Sequence, residues 1–400
     1  MHLMGRSLAI VLLVLLATAP AAAARVRVPA GVKLQRYAQG IPNPSNLAFD
    51  GRGRLWATSA GVQAAAADGV WMVPRRGARP RQVVSGLFSA LGLTWHRREL
   101  YVSHIVPHAT FAPRHTGRVV AYSGFDGRRF ARSRVVVDGL PVGRHRVDSI
   151  VAGPGGRLYL GIGSESDHEP SSAALAGTVV SFRPGGGGLR VEARGLRNPY
   201  GLAVGVGGDG VRGRLLVSEH GRDDLGLHSP PDELNLVNPR GRPRSYGFPD
   251  CWGQGGAPCR GTVAPLARLA PHSAPGAVVA TRRFGRWGPS AFVTRFGSTF
   301  RQNPTGGDVV RVPLGNLGRR STAPARRFAT GFGHQEPLGA ALGPGGALYV
   351  SLWKSGRIVR LVPPPRPQPP RPEPLRAAGT SLAAPTALLQ ALAELCRALF

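Results

Sequence analysis

Short apolar runs of four to five residues, parted by Gly- and Pro-rich turns, recur along the body of this chain, and they recur in triplets. The first triplet reads Asn46-Leu47-Ala48-Phe49, then Leu55-Trp56-Ala57-Thr58, then Gly69-Val70-Trp71-Met72-Val73. The second reads Leu91-Gly92-Leu93-Thr94, Leu100-Tyr101-Val102-Ser103 and Gly117-Arg118-Val119-Val120-Ala121-Tyr122. A third runs through Ser149-Ile150-Val151-Ala152, Leu158-Tyr159-Leu160-Gly161 and Gly177-Thr178-Val179-Val180-Ser181-Phe182. The fourth has Gly201-Leu202-Ala203-Val204, Leu215-Leu216-Val217-Ser218 and Glu233-Leu234-Asn235-Leu236-Val237. The fifth is degraded, with Ser290-Ala291-Phe292-Val293 and Asp308-Val309-Val310-Arg311-Val312 alone legible. The sixth is clear again: Leu338-Gly339-Ala340-Ala341, Leu348-Tyr349-Val350-Ser351 and Gly356-Arg357-Ile358-Val359-Arg360-Leu361.

Each triplet predicts a small antiparallel sheet, and such a sheet alone cannot bury both its faces. Stacking the sheets radially covers the faces and leaves only short edges. The expected fold is therefore all-β, a six-bladed β-propeller. The recurring G-x-L-[YW]-[VLA] and G-x-[IV]-[VW] pieces argue against a sandwich of coincidentally similar strands.

Composition agrees with this picture and adds detail. The 400 residues include 56 Gly and 37 Pro, which suits many short strands and no long helices. Only 7% are aromatic, so the core is expected to be mainly Val, Leu and Ala. The net charge of +30 comes from 51 basic against 21 acidic residues, and all the basic ones except Lys33 and Lys354 are arginine. No run of five basic residues and no nucleic-acid motif is present, so nucleic acid is not expected as a partner. Scattered surface arginine and an anion-binding face both remain open readings.

The two ends differ from the body. Arg6 precedes an apolar run from Leu8 to Leu16, followed by small residues from Ala17 to Ala24, the layout of a cleavable export signal. The expected division is a signal peptide over 1–24, the propeller over 25–362, and a Pro-rich linker with a short amphipathic tail over 363–400. The mature protein is then expected outside the cytoplasm, periplasmic or secreted, with no later segment able to span a membrane. Cys251 and Cys259 lie close enough in sequence to be joined, which leaves Cys396 over; the sequence alone does not decide the pairing.

Three polar clusters precede or follow blade strands, where a propeller keeps its chemistry. They are Leu140 to Asp148, Arg194 to Leu202, and Ser218 to Asp224 with its continuation Pro230 to Leu236. The strings Gly195-Leu196-Arg197-Asn198-Pro199-Tyr200-Gly201-Leu202, Ser218-Glu219-His220-Gly221, Asp232-Glu233-Leu234-Asn235-Leu236 and Tyr246-Gly247-Phe248-Pro249 resemble, in order and spacing, the glucose/sorbosone dehydrogenase family. The long loop after Gly221 and the two cysteines resemble its sorbosone branch. That family consists of quinoprotein propellers that use pyrroloquinoline quinone and calcium.

The resemblance implies roles. His145 would be the general base that takes the proton of a sugar hydroxyl, a task suited to a neutral imidazole. Arg197 and Asn198 would hydrogen-bond the cofactor, with Arg301 as a further basic contact. The carbonyls of Gly221 and Arg222, with the carboxylates of Asp232 and Glu233, would hold calcium. Glu336 stands where the family places arginine, a carboxylate facing an anionic cofactor unless Arg301 or Lys354 compensates. His104, His108, His115 and His168 are read as solvent-facing loop histidines. The expected activity is oxidation of a sugar or related hydroxyl, with electrons passed to an external acceptor. The alternative is a non-catalytic exported propeller that binds a glycan or protein through the same face. A metal-dependent lactonase is disfavoured because no carboxylate and asparagine cage stands out.

Overall fold

The computed structural model describes residues 26–61, 68–107, 115–208, 210–253, 259–298, 305–315, 317 and 322–365. The signal-like segment 1–24, His108, Arg301, Cys396 and the tail from residue 366 onward lie outside these.

After β1 (Lys33–Gln39) come six sheets in succession around an axis. The first blade holds β2 (Pro44–Phe49), β3 (Leu55–Ser59), β4 (Gly69–Val73) and β5 (Arg81–Ser85). The second holds β6 (Gly92–His96), β7 (Glu99–Val106), β8 (Thr116–Phe125) and β9 (Phe130–Pro141). The third holds β10 (Val147–Ala152), β11 (Leu158–Ile162), β12 (Thr178–Phe182) and β13 (Arg190–Arg194). The fourth has β14 (Pro199–Val204), β15 (Leu215–Glu219) and β16 (Asp232–Val237); β17 (Arg244–Ser245) then crosses back to pair in parallel with β13, and β18 (Ala267–Leu269) completes the fourth sheet. The fifth is β19 (Pro275–Thr281), β20 (Ser290–Arg295), β21 (Asp308–Pro313) and β22 (Arg326–Ala329). The sixth is β23 (Pro337–Leu342), β24 (Leu348–Leu352) and β25 (Arg357–Val362), and β1 is its outer strand, with Lys33 opposite Val362. Among the described residues there is no α-helix, and no helix long and apolar enough to cross a membrane.

Two features correct the sequence reading. The fifth blade is complete, not degraded: its innermost strand is β19, and Ser290–Arg295 is its second strand. The repeat was hidden because Arg282 to Pro289 replaces the usual Gly-rich turn, with Phe284 and Trp287 bridging each other inside it. His104 is also not in a solvent-facing loop: it lies within β7, is buried, and its Nδ1 meets the carbonyl of Ile105 at 2.9 Å.

Second strands such as β3, β11 and β15 are buried at every position, because a blade is covered on both faces. The buried apolar side chains form a cluster in each seam between neighbouring blades. A hydroxyl near the end of the second strand stitches each of several blades to the next. Ser103 Oγ donates to Asp148 O at 2.6 Å, Ser218 Oγ to Gly276 O at 2.7 Å, and Thr294 Oγ1 to Leu338 O at 2.6 Å. Close approach of the inner strands explains the glycines there. A Cβ on Gly201 would sit 2.3 Å from Gly276 O, and one on Gly276 would sit 2.5 Å from Leu338 O. At the matching positions of the first and third blades, Asn46 and Ser149 instead hydrogen-bond each other at 2.7 Å. Around them the six inner strands line an axial channel of about 360 Å³.

Candidate functional site

A second cavity, about 310 Å³, opens on the axis where the inner strands begin. His145, Arg146 and Asp148 reach it from the β9–β10 loop and the start of β10; Asn198 and Tyr200 come from the start of β14. Phe296 and Trp353 form an aromatic edge, with ring centroids 5.6 Å apart at 83°.

The backbone clips the His145 loop in place. Arg144 N donates to Glu165 O at 2.9 Å and His145 N to Ser164 O at 3.2 Å, while Ser164 N donates to Arg197 O at 2.7 Å. Gly163 allows this approach, since a Cβ there would lie 2.2 Å from His145 Cβ. The His145 side chain is 13% exposed. Its Nε2 lies 3.1 Å from Asp167 Oδ1, close but off the line that a hydrogen bond requires. Burial, then the positive charges of Arg197, Arg144 and Arg146 with His220 among them, pushes the imidazole down to about 2. His145 is therefore neutral across the physiological range.

Asp167 gathers three groups. Its Oδ2 pairs with Arg144 Nε at 2.6 Å, and its Oδ1 meets both His145 and Arg197 Nη2, the latter at 2.8 Å. Arg197 is buried, and its guanidinium also reaches Asp167 O, Gly221 O and Asp223 Oδ1. It faces these protein groups and does not line the axial cavity, whereas Asn198 does. The sequence reading assigns no role to Asp167, Asp148 or Tyr200, although Asp148 ends the first polar cluster and Tyr200 stands inside the Gly195 to Leu202 string.

Glu219 supports the same corner from beneath. Its Oε1 accepts from the backbone N–H groups of Arg197 at 2.5 Å and Asn198 at 3.2 Å, so the turn that carries both residues is held by one carboxyl group. Burial pushes Glu219 up to about 8 and Glu233 up to about 7.

Of the groups expected to hold calcium, Gly221 O and the Asp232 and Glu233 carboxylates are otherwise engaged. Gly221 O accepts from Arg197 Nη1 at 3.0 Å, so a metal there would face a guanidinium. The Arg222 guanidinium pairs with Asp224. Asp232 Oδ2 accepts from Ser273 N, Ser273 Oγ and Ala274 N, and Oδ1 from Gly221 N. Glu233 accepts from Gly253 N at 2.6 Å and Asn235 Nδ2 at 3.1 Å. Among the described residues no group of three or more His, Cys, Asp or Glu side chains could hold a metal ion, and this donor set as it stands does not fit calcium.

Glu336 is buried but turned to the β24–β25 turn, where its Oε2 accepts from Ser355 N at 3.1 Å and Ser355 Oγ at 3.0 Å. Lys354 is exposed, and Arg301 lies outside the described residues. Cys251 and Cys259 are disulfide-bonded. His168 sits at the rim with Nε2 3.2 Å from Asp223 Oδ1.

No protein-family model matches the chain, and no curated protein is significantly similar to it. Solved structures do share its shape. A Trichoderma reesei protein of Carbohydrate-Active Enzymes Family AA12 superimposes with a TM-score of 0.69 at 19% identity, over 85% of this chain and 98% of that one. The pyranose dehydrogenase PQQ domain from Coprinopsis cinerea gives 0.66 at 18% identity, over 84% and 97%. A putative oxidoreductase (glucose dehydrogenase) from Thermus thermophilus gives 0.63 at 24% identity, over 83% and 100%. The likeness to these proteins is one of fold, and the chain is a six-bladed β-propeller of the same architecture as the sugar dehydrogenases among them.

Proposed function

We propose that this protein is an exported sugar dehydrogenase that oxidises a hydroxyl of a pyranose-type substrate in the axial cavity, with pyrroloquinoline quinone as its cofactor. The observation that carries this reading is His145: buried, neutral and set against Asp167 in the wall of that cavity.

Oxidising a carbinol removes two electrons as hydride from carbon and a proton from oxygen, and a neutral imidazole is suited to the proton. Whichever ring nitrogen of His145 is unprotonated carries the lone pair that takes the hydroxyl proton, with Nε2 beside Asp167 but not hydrogen-bonded to it. Burial depresses the basicity of His145 most, with Arg197, His220, Arg144 and Arg146 adding to it, and an anionic occupant beside Arg144 and Arg146 would offset their share.

Pyrroloquinoline quinone, a planar anion, fits the residues present: exposed Arg144 and Arg146 at the rim, the Phe296 and Trp353 edge, and buried polar atoms that lack protein partners. Bound there, the quinone would supply the acceptor for the hydride. Asn198, with one amide face on the cavity, would orient it. No step is assigned to calcium. Export is supported by the signal-like N-terminus and by the Cys251–Cys259 disulfide, which favours an oxidising compartment.

The test is a titration of the purified protein with pyrroloquinoline quinone, followed by absorbance, with dye reduction measured on a panel of aldoses. Saturable binding with sugar-dependent dye reduction, lost in His145→Ala, supports the dehydrogenase. Absence of quinone binding overturns it and leaves the alternative of a non-catalytic propeller that binds a glycan or protein through the same face.

A further inference from the structure

The inner strands start at the axial cavity, so the turns that leave them lie on the opposite face of the propeller, together with the turns between third and fourth strands. That opposite face is cationic around the whole ring. Exposed Arg52, Arg97, Arg212 and Arg282 stand in the turns that leave the inner strands of the first, second, fourth and fifth blades. Exposed Arg183 follows β12 in the third blade, and exposed Lys33 opens β1 in the sixth. The carboxylates described at this face are held by other groups. Arg54 pairs with Asp50 at 2.7 Å, Arg134 with Glu99 at 2.7 Å and Arg190 with Glu192 at 3.1 Å, while Asp126 accepts from Arg129 N at 2.8 Å. Between β1 and the β4–β5 turn, a groove of about 510 Å³ has Arg36, Arg76 and Arg79 in its walls and no carboxylate.

The cavity face is built differently. There the arginines stand among carboxylates and the charges cancel in close pairs, Arg144 with Asp167 at 2.6 Å and Arg222 with Asp224 at 2.6 Å. An arginine-rich composition alone would enrich both faces alike; it does not explain an excess confined to one. The cationic face also exposes Leu342 at the end of β23, Leu189 in the β12–β13 turn and Leu34 beside Lys33.

We propose that this face docks the propeller on a bilayer that contains anionic phospholipid, with the mouth of the axial cavity turned away from the membrane. Charges spread around a ring fit a broad anionic surface better than a single strand or a small ion. A guanidinium meets phosphate oxygens by two-point hydrogen bonding, and the groove of Arg36, Arg76 and Arg79 has room for a headgroup. Leucines among the cations favour lipid over an acidic polysaccharide, because interfacial binding joins electrostatic attraction to the burial of apolar side chains. Such docking is independent of the chemistry in the axial cavity.

The full chain is sedimented with phosphatidylcholine vesicles, with and without about one-third phosphatidylglycerol. The expected result is saturable binding that requires phosphatidylglycerol and is released by salt, which screens surface charge. Arg52→Gln combined with Arg212→Gln is expected to weaken binding about 30-fold. Arg194→Gln combined with Arg357→Gln removes the same charge from exposed positions at the cavity end of β13 and β25, and is expected to leave binding unchanged. Thermal melts establish that both double variants are folded. The C-terminal tail is present in every sample, so the difference between the two variants reports on the face alone. Absence of binding, equal binding to neutral vesicles, or equal weakening by both variants overturns the proposal. Tighter capture by polygalacturonate than by the anionic vesicles also overturns it, and assigns the face to an acidic polymer.

Discussion

Asp167 Oδ1 accepts a charge-assisted hydrogen bond from Arg197 Nη2 at 2.8 Å, and the same oxygen lies 3.1 Å from His145 Nε2. One carboxylate thereby links the imidazole of the β9–β10 loop to the turn that begins the fourth blade. The guanidinium read from sequence as a cofactor ligand is paired with this carboxylate.

Replacing Asp167 with asparagine keeps its shape but removes the charge that orients His145 and balances Arg197 and Arg144. We expect kcat for dye-linked sugar oxidation to fall about 100-fold with little change in KM. A matching loss in KM alone would mean that Asp167 serves binding and not the orientation of the imidazole.

Stability should depend on pH from two directions. His145 is held below its ordinary value, so beneath about pH 6.5 the unfolded chain takes a proton that the folded one refuses, and stability falls with pH. Glu219 and Glu233 are held above theirs, so from about pH 4.3 upward the unfolded chain ionises first, and stability falls until the folded values of about 8 and 7 are passed. Melts of Glu219→Gln against wild type should show an advantage for the variant that grows between pH 5 and 8. A constant difference would show that Glu219 titrates normally in the folded protein.

In the fifth blade Arg295 forms a two-point ion pair with Asp308, at 2.7 and 2.6 Å, and both side chains are buried. Asp308→Ala would leave the guanidinium without its counter-charge. Urea unfolding is expected to show a loss of about 3–5 kcal/mol, whereas changing the exposed third member, Arg327, should lower stability by less than about 1 kcal/mol.

The disulfide between Cys251 and Cys259 closes a loop eight positions long. Changing both to serine is expected to lower unfolding free energy by about 2–3 kcal/mol, a chain-entropy effect. Peptide mass mapping of the purified protein should recover the two cysteines joined.

Blades with the G-x-L-[YW] signature were legible because a buried second strand and a Gly-rich turn leave a local mark; the fifth blade lacked that turn and lost its inner strand in the reading. The closing role of Lys33–Gln39 left no mark, since β1 is half exposed and its partner lies at the other end of the propeller. At the site, His145 and Asn198 were found by motif and do line the axial cavity. Arg197, found the same way, points elsewhere because Asp167 and Gly221 compete for it. Glu336 looked hostile to an anion in sequence, yet the donors of Ser355 draw it aside. Spacing along a chain identifies which residues share a loop end; it does not say which of them a neighbouring loop will claim.

The pairing of Lys33 with Val362 has a consequence for how the molecule is made. β1 can find its place only after β25 has appeared, so the ring stays open, with β1 unpaired, until the sixth blade has been synthesised. A contact of such sequence separation forms late and slowly. Once formed, the same clasp ties both ends of the propeller into one sheet, so that neither end can peel away without opening the ring.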